Sequence, residues 1–337
     1  LYVFLLERKE EASISYISAL PNIKLLSYGV SSRFPIAPKV EITYLAALLL
    51  GLLVPFGILF LLKLLDTKIN TRDDLENGLK GITILGEMPF AENPKDADDS
   101  GRGLIAESTR VLRAGLSFQL KTDATNVICV TSTIKGEGKS FVSYNLAQSY
   151  AALGKKVIIL GADLRNPQLH KFLNQKRENI GLTTYLSNEN FNDVDSLITK
   201  ADTPRGLDFL LTGAIPPNPS ELLMRPRTKE LLDMLKQSYD LILIDSAPLL
   251  LVSDTTAILP LCDSVVYVTR SQYSEKKTFP FILDMQKRPN VPPFGMVLNG
   301  LRAGASTGSN YGYKYRYSYG YSYNYGYGYG YGNDTDS

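Results

Sequence analysis

Two glycines, a lysine and a serine in close order, Gly136-Glu137-Gly138-Lys139-Ser140, are the residues here best suited to chemistry, and that chemistry is the handling of a polyphosphate. Glycine lets backbone N–H groups approach phosphate oxygens closely, and a helix starting at the lysine points its N-terminal amides at the same anion. Lys139 then reaches the terminal phosphates as a point charge, and the Ser140 hydroxyl is a hard oxygen ligand for Mg²⁺. The context agrees: an apolar, β-branched run from Asn126 (Val127, Ile128, Val130) precedes the loop, and a helical pattern from Phe141 to Leu153 follows it. One slot departs from the usual P-loop pattern, because Thr133 stands where the first glycine is normal.

Phosphoryl transfer also asks for acidic groups beside the phosphates, and in parallel sheets these sit at the C-terminal ends of strands. Two such ends carry aspartate. Leu241-Ile242-Leu243-Ile244-Asp245 is a Walker-B-like strand whose Asp245 is placed to hold the Mg²⁺ shell. The run Val157 to Leu160 leads through Gly161-Ala162 to Asp163, which could serve as base or as metal partner. Either aspartate alone reads equally well as a loop cap; together, flanking a P-loop, they point to one site.

The elements that must position these groups alternate strand and helix, as a doubly wound α/β fold with a mostly parallel sheet does. Further strands are expected at Leu207 to Leu211, Ser264 to Val268 and Gly295 to Leu298, with Ile82 to Leu85 a possible addition. All-apolar strands of this kind imply a sheet covered on both faces. Gly154 closes the P-loop helix. After the proline-rich turn Ile215 to Pro219, Asn218 reads as a helix N-cap with Glu221 at the capping-box position.

At 337 residues there is room for one substantial domain and extras, and a net charge of +2 argues neither for nor against nucleic acid. One histidine (His170) and two cysteines (Cys129, Cys262) without metal-ligand spacing exclude a zinc cluster or a histidine triad, and the thiols read as reduced and buried. The chain opens on Leu1, which we read as the C-terminal portion of something longer. Ile42 to Leu62 carries no charge over 21 residues. At ~1.5 Å per residue it spans roughly 31 Å, the thickness of bilayer hydrocarbon, against the alternative of a buried soluble helix. Flanking positive charges do not orient it; ATP and reduced thiols are cytosolic, so the C-terminal side faces inward.

An amphipathic helix is expected from Ile105 to Leu120, with Glu107, Arg110 and Arg113 along one side. Spacing alone reads that trio as a solvated, self-paired face. From Tyr311 to Tyr331 every second residue is tyrosine, eleven of the protein's 21, separated by Gly, Ser, Asn, Lys314 and Arg316. The alternation could suggest a strand, but the intervening face has no apolar residue, so a disordered low-complexity tail is expected.

Taken together, the P-loop, the stretch Asp163-Leu164-Arg165-Asn166-Pro167 and the Walker-B strand resemble the bacterial tyrosine kinases, the cytosolic kinase halves of polysaccharide co-polymerases. Pro35-Ile36-Ala37-Pro38 resembles the proline motif of chain-length determinant proteins, and Asp66-Thr67-Lys68-Ile69 with Asp73-Asp74-Leu75 their cytosolic return. Gly213 to Leu223, containing PPNPSELL, is similar to the family's proline loop. The tyrosine tail is similar to its autophosphorylation cluster.

The resemblance implies a P-loop NTPase-type protein-tyrosine kinase using ATP and Mg²⁺. It implies Lys139, Asp163 and Asp245 as catalytic residues and Ser140, Asp163 and Asp245 around the metal. Nucleotide would be held by Lys135, Gly136, Glu137, Gly138, Lys139, Ser140 and Phe141, with Asn299 at the adenine. The phosphoacceptors would be Tyr311, Tyr313, Tyr315, Tyr317, Tyr319, Tyr321, Tyr323, Tyr325, Tyr327, Tyr329 and Tyr331. Glu107, Arg110 and Arg113 match an oligomerisation motif, which reverses the reading from spacing. The implied organisation is an extracytoplasmic remnant (1–41), a transmembrane helix (42–65), a juxtamembrane linker (66–104), the kinase domain (105–302) and the tail (303–337).

The implied setting is a bacterial inner membrane, with the kinase domain cytoplasmic and tails phosphorylated between subunits of a homo-oligomeric ring. The implied partners are the exopolysaccharide or capsule polymerisation and export machinery and a tyrosine phosphatase, with no nucleic acid. Each phosphate adds about −1.5 to −2 charge, so eleven would add on the order of −16 to −22, enough to extend the tails and dissolve the ring. The family has an aspartate where Gly161 stands and commonly a proline at Lys135. The first departure keeps open a catalytically weak, nucleotide-binding scaffold that controls chain length. Division-site and chromosome-partitioning ATPases share the fold but carry a lysine five residues before the P-loop lysine, where this chain has Ile134.

Overall fold

A computed structural model describes residues 1–18, 29, 39–91, 103–122, 124–173, 179–200, 206–250 and 253–302. Chain contacts divide it into two units, Leu1–Asp66 and Thr67–Ser337.

The first unit holds α1 (Tyr2–Ser18), with no buried residue, and α2 (Val40–Leu64). The expected apolar span falls within α2, which runs through Pro55 without a break. Its stretch Glu41–Leu62 is 22 residues, long and apolar enough to cross a membrane, with none of its described residues buried. The proline motif at 35–38 lies outside the described residues.

The second unit opens with α3 (Arg72–Gly78), β1 (Thr83–Pro89), α4 (Leu104–Ser117), β2 (Asn126–Ser132), α5 (Lys139–Ala151) and β3 (Val157–Gly161). Next come α6 (Leu182–Ser187), β4 (Ile198–Lys200), β5 (Leu207–Leu210), α7 (Pro219–Leu223), α8 (Pro226–Ser238) and β6 (Leu241–Asp245). The unit closes with α9 (Asp254–Ile258), β7 (Ser264–Arg270), α10 (Phe279–Gln286) and β8 (Phe294–Leu301). Among the described residues the strands form one eight-stranded sheet in the order β1-β8-β7-β2-β6-β3-β5-β4. Every pairing is parallel except β4 with β5.

The two-residue period of the central strands decides which helix each side chain meets. Ile128 and Val130, Val157 and Ile159, Leu241 and Leu243 all face the core lined by α4 and α5. The alternate residues Val127, Ile158, Leu160, Ile242 and Ile244 face α6, α7 and α8. A third cluster, including Cys129, Tyr267 and Met296, packs beneath α3 and α10. Helices on both faces make the fold doubly wound, as the apolar strands imply.

Some boundaries differ from expectation for local reasons. The possible strand at Ile82 is a seven-residue edge strand whose register on β8 shifts twice on the way to Pro89. Helix α4 stops at Ser117, where Phe118 takes a helical C-cap and its exposed ring covers nothing. Asn218 is the N-cap of α7, but its amide donates to the Glu221 carboxylate at 2.7 Å and does not cap the helix amides. The segment before α3 pairs with the loop after β7: Ile69 N donates to Ser274 O and Gln272 N to Ile69 O, each at 2.8 Å.

Candidate active site

At the C-terminal edge of β2 the chain turns through residues 133–138 into α5. Gly136 and Gly138 sit at φ +85° and +100°, backbone that only glycine adopts without strain. A Cβ on Gly138 would lie 2.0 Å from Asn299 Nδ2. Thr133, in the slot where glycine is normal, has ordinary backbone, and its buried hydroxyl bonds to the Tyr267 hydroxyl at 3.0 Å.

The loop is braced from three directions. Arg270 Nη1 donates to Gly136 O and Tyr273 OH to Lys135 O, each at 3.0 Å. Asn299 Nδ2 donates to Glu137 O at 2.9 Å, so the residue expected at the adenine is tied through that nitrogen to the loop. The Glu137 side chain, expected among the nucleotide contacts, is fully buried; it accepts from Ile134 N at 2.8 Å and from the Ser274 hydroxyl. Burial raises its carboxyl above the ordinary value, against these hydrogen bonds. Lys135 is exposed, and Phe141 packs against the core under α5.

Asp245 falls on the α5 side of β6 because it shares the parity of Leu241 and Leu243. There it accepts from Ser140 Oγ at 2.6 Å and from Ser143 Oγ at 3.5 Å. Burial pushes its carboxyl up to about 7; the Lys139 charge and the two hydroxyls pull the other way, while Asp163 adds to the rise. Asp163 lies just past β3, where Ala162 N and Asp163 N both donate to Asp245 O, at 2.9 and 3.0 Å. Asp163 Oδ1 accepts from Asn166 N at 3.0 Å. Lys139, Ser140, Asp163 and Asp245 are therefore neighbours, as the sequence requires.

The site fits a nucleotide with Mg²⁺. A serine hydroxyl and a carboxylate in contact are the hard oxygen donors that Mg²⁺ takes while keeping water and phosphate in its shell.

Gly161, the departure from the family aspartate, has no room for a side chain. Its Cβ would stand 2.8 Å from Thr212 Oγ1, which donates to Gly161 O at 2.7 Å. On α4, Arg110 pairs with Glu107 at 2.7 Å in the open, whereas Arg113 leaves the trio to donate to Ser149 O and Oγ on α5. The tyrosine run 311–331 lies outside the described residues. Sequence reasoning did not find Arg270, Tyr273 and Ser274, because their contacts with the loop cross more than 130 residues and leave no local pattern.

A glycine-lysine-serine loop at the edge of a doubly wound parallel sheet, with aspartate at the neighbouring strand end, defines a P-loop nucleotide-binding domain. An AAA-domain family profile matches residues 125–287. A Klebsiella pneumoniae protein provisionally named a tyrosine-protein kinase in the cps region is 33% identical over 319 residues, 89% of this chain and 43% of that protein. The tyrosine-protein kinase etk of Escherichia coli K12 is 30% identical over 335 residues, 92% of this chain and 45% of its own length. The solved kinase domain of the E. coli tyrosine kinase ETK superposes with a TM-score of 0.64 at 29% identity, covering 73% of this chain and all of that one. The chimerical protein CapA2B2 is 30% identical, with a TM-score of 0.61 over 69% of this chain and all of that one. The chain belongs to the bacterial tyrosine kinases, and it spans less than half the length of the curated relatives it matches.

Proposed function

We propose that this chain is the kinase-bearing part of a membrane-anchored protein that transfers the γ-phosphoryl group of ATP to tyrosines, first of all Tyr311 to Tyr331 on a neighbouring subunit. The observation that carries the reading is the contact of Ser140 with Asp245, beside Lys139 and Asp163, in a braced glycine loop. The acceptor phenol has a pKa near ~10 and needs a carboxylate to orient it and take its proton. Asp163 is that group. The tyrosine oxygen bonds to the γ-phosphorus, the bond from that phosphorus to the β,γ-bridging oxygen breaks, ADP leaves, and the phenolic proton passes to Asp163. Lys139 offsets charge on the β- and γ-phosphates, and Ser140 and Asp245 would hold Mg²⁺. The ion, when bound, neutralises the phosphate charge. Asn299, whose Nδ2 donates to Glu137 O, would meet the adenine through its amide oxygen; the backbone of residues 135–140 would cradle the phosphates.

Residues 42–62 anchor the protein in the bacterial inner membrane, with the kinase unit, which takes in β1 and α3 and so begins near Thr67 and not at 105, cytoplasmic. Glu107, Arg110 and Arg113 contribute to a homo-oligomeric ring, and tail phosphorylation regulates exopolysaccharide or capsule export. The test is phosphotyrosine formation by the full chain in detergent with ATP and Mg²⁺. Strong labelling of wild type and none of Lys139→Met is expected; equal labelling overturns the proposal. A second reading, a nucleotide-binding scaffold without transfer, draws on Gly161, where Thr212 fills the space of the family's aspartate. It predicts nucleotide binding without phosphotyrosine, and export indifferent to Lys139→Met.

A further inference from the structure

Asp254 takes no part in the reaction above, yet its carboxylate is completely buried at the start of α9. A buried charge persists only when every oxygen is engaged. Here Arg165 Nε donates to Oδ2 at 2.6 Å and Arg165 Nη2 to Oδ1 at 3.1 Å, the forked geometry that fixes direction as well as distance. Ser220 Oγ also donates to Oδ1, and it lies 3.2 Å from Ser253 Oγ. Burial raises the Asp254 carboxyl, but Arg165 and Ser220 outweigh it and hold the group below its ordinary value.

Three segments leave the sheet's C-terminal edge at this place. Arg165 belongs to the loop after β3 that carries Asp163, Ser220 to the proline loop and α7, and Asp254 to the connection that follows β6. Asp163 is fixed by its own amide on Asp245 O and by Asn166 N on its Oδ1, in a loop held by the buried Leu164 and, one residue further, by the Arg165 fork on Asp254. A carboxylate that must meet an acceptor hydroxyl within hydrogen-bond reach depends on such an anchor, because small misplacements cost large factors in rate.

We infer that Asp254 and Arg165 are a positioning pair for Asp163, and that Ser220 fastens the proline loop to them, so that the acceptor side of the site moves as one piece. This rests on the reading of Asp163 as the acceptor-side carboxylate. Lysine at 165 keeps the charge but loses the fork.

The experiment compares the full chain in detergent with Arg165→Lys, Asp254→Asn, Ser220→Ala and the Arg165→Lys/Asp254→Asn double variant. It reads kcat and KM for ATP in tyrosine phosphorylation, and amide hydrogen exchange of the nucleotide-free protein. Arg165→Lys should lower kcat about 10-fold or more with KM for ATP within about 2-fold, and speed exchange at 161–168. The double variant should be no worse than the single ones, as for residues acting as a unit. Ser220→Ala should speed exchange at 213–224 and lower kcat by a smaller factor; it carries the test if Arg165→Lys does not fold. Unchanged exchange at 161–168 in Arg165→Lys, or a loss confined to KM for ATP, overturns the inference whatever the activity. A wild type that binds nucleotide but makes no phosphotyrosine would overturn the kinase reading instead.

Discussion

Ser140 Oγ donates to Asp245 Oδ2 across 2.6 Å, joining the first turn of α5 to the last residue of β6. Without a cation this carboxylate is buried against one lysine and two hydroxyls, and its ionised form is poorly matched there. Asp245→Asn should therefore leave the melting temperature of the nucleotide-free chain unchanged or raised, while weakening binding of ATP with Mg²⁺ about 10-fold or more. Calorimetric titration and thermal melting separate the two effects. Undiminished binding of the magnesium complex would remove Asp245 from the metal shell.

Thr133 trades the usual glycine for a buried hydroxyl on Tyr267. Restoring glycine should destabilise the domain by about 1–3 kcal/mol, because Tyr267 loses that partner and the loop gains unfolded-state freedom. Tyr267→Phe should cost a similar amount, and the double variant less than the two combined. Urea unfolding of the four proteins measures the cycle; strict additivity would mean the hydroxyls do not interact.

Gly161→Asp, which restores the family residue, should harm this chain. The new Cβ meets Thr212 Oγ1 at 2.8 Å and Thr212 N at 3.1 Å, and overpacking of this kind costs about 1–3 kcal/mol. A lower melting temperature with no gain in phosphotyrosine formation is the expected outcome. A stable, faster enzyme would show that Thr212 moves aside freely.

Glu137 gives the loop a pH dependence. Its folded-state carboxyl titrates above the ordinary 4.5 because of burial, so the folded chain keeps a proton that the unfolded chain releases first. Its contribution to stability is complete below that value and is lost as pH rises through the raised one, at ~1.4 kcal/mol per unit of difference. Melting temperatures of nucleotide-free wild type and Glu137→Gln, followed from pH 4 upward, should diverge: only wild type carries this downward component. Parallel curves would mean the carboxyl is not raised.

What the sequence made legible follows from short-range rules. Glycine in the cradle, apolar strands and an aspartate closing β6 are each readable within a few residues. The braces were not legible. Glu137 reads as one of the nucleotide contacts, with nothing to show that Ser274 meets its buried carboxyl, and Asn299 reads as a nucleobase contact, with nothing to show that its amide nitrogen also donates to Glu137 O. Gly161 reads as a departure from the family's aspartate, with nothing to show that Thr212 stands in its space. Each of these facts depends on which distant strand ends the sheet order brings together.

Because the amides of Ala162 and Asp163 both rest on the carbonyl of Asp245, the main chain joins the two acidic positions independently of the contacts that aim each carboxylate. Positions 163 and 245 thus behave like two sockets on a fixed board. A library combining Asp, Glu, Asn, His and Ser at both would sample different chemistries at constant spacing, which few loop-built centres permit.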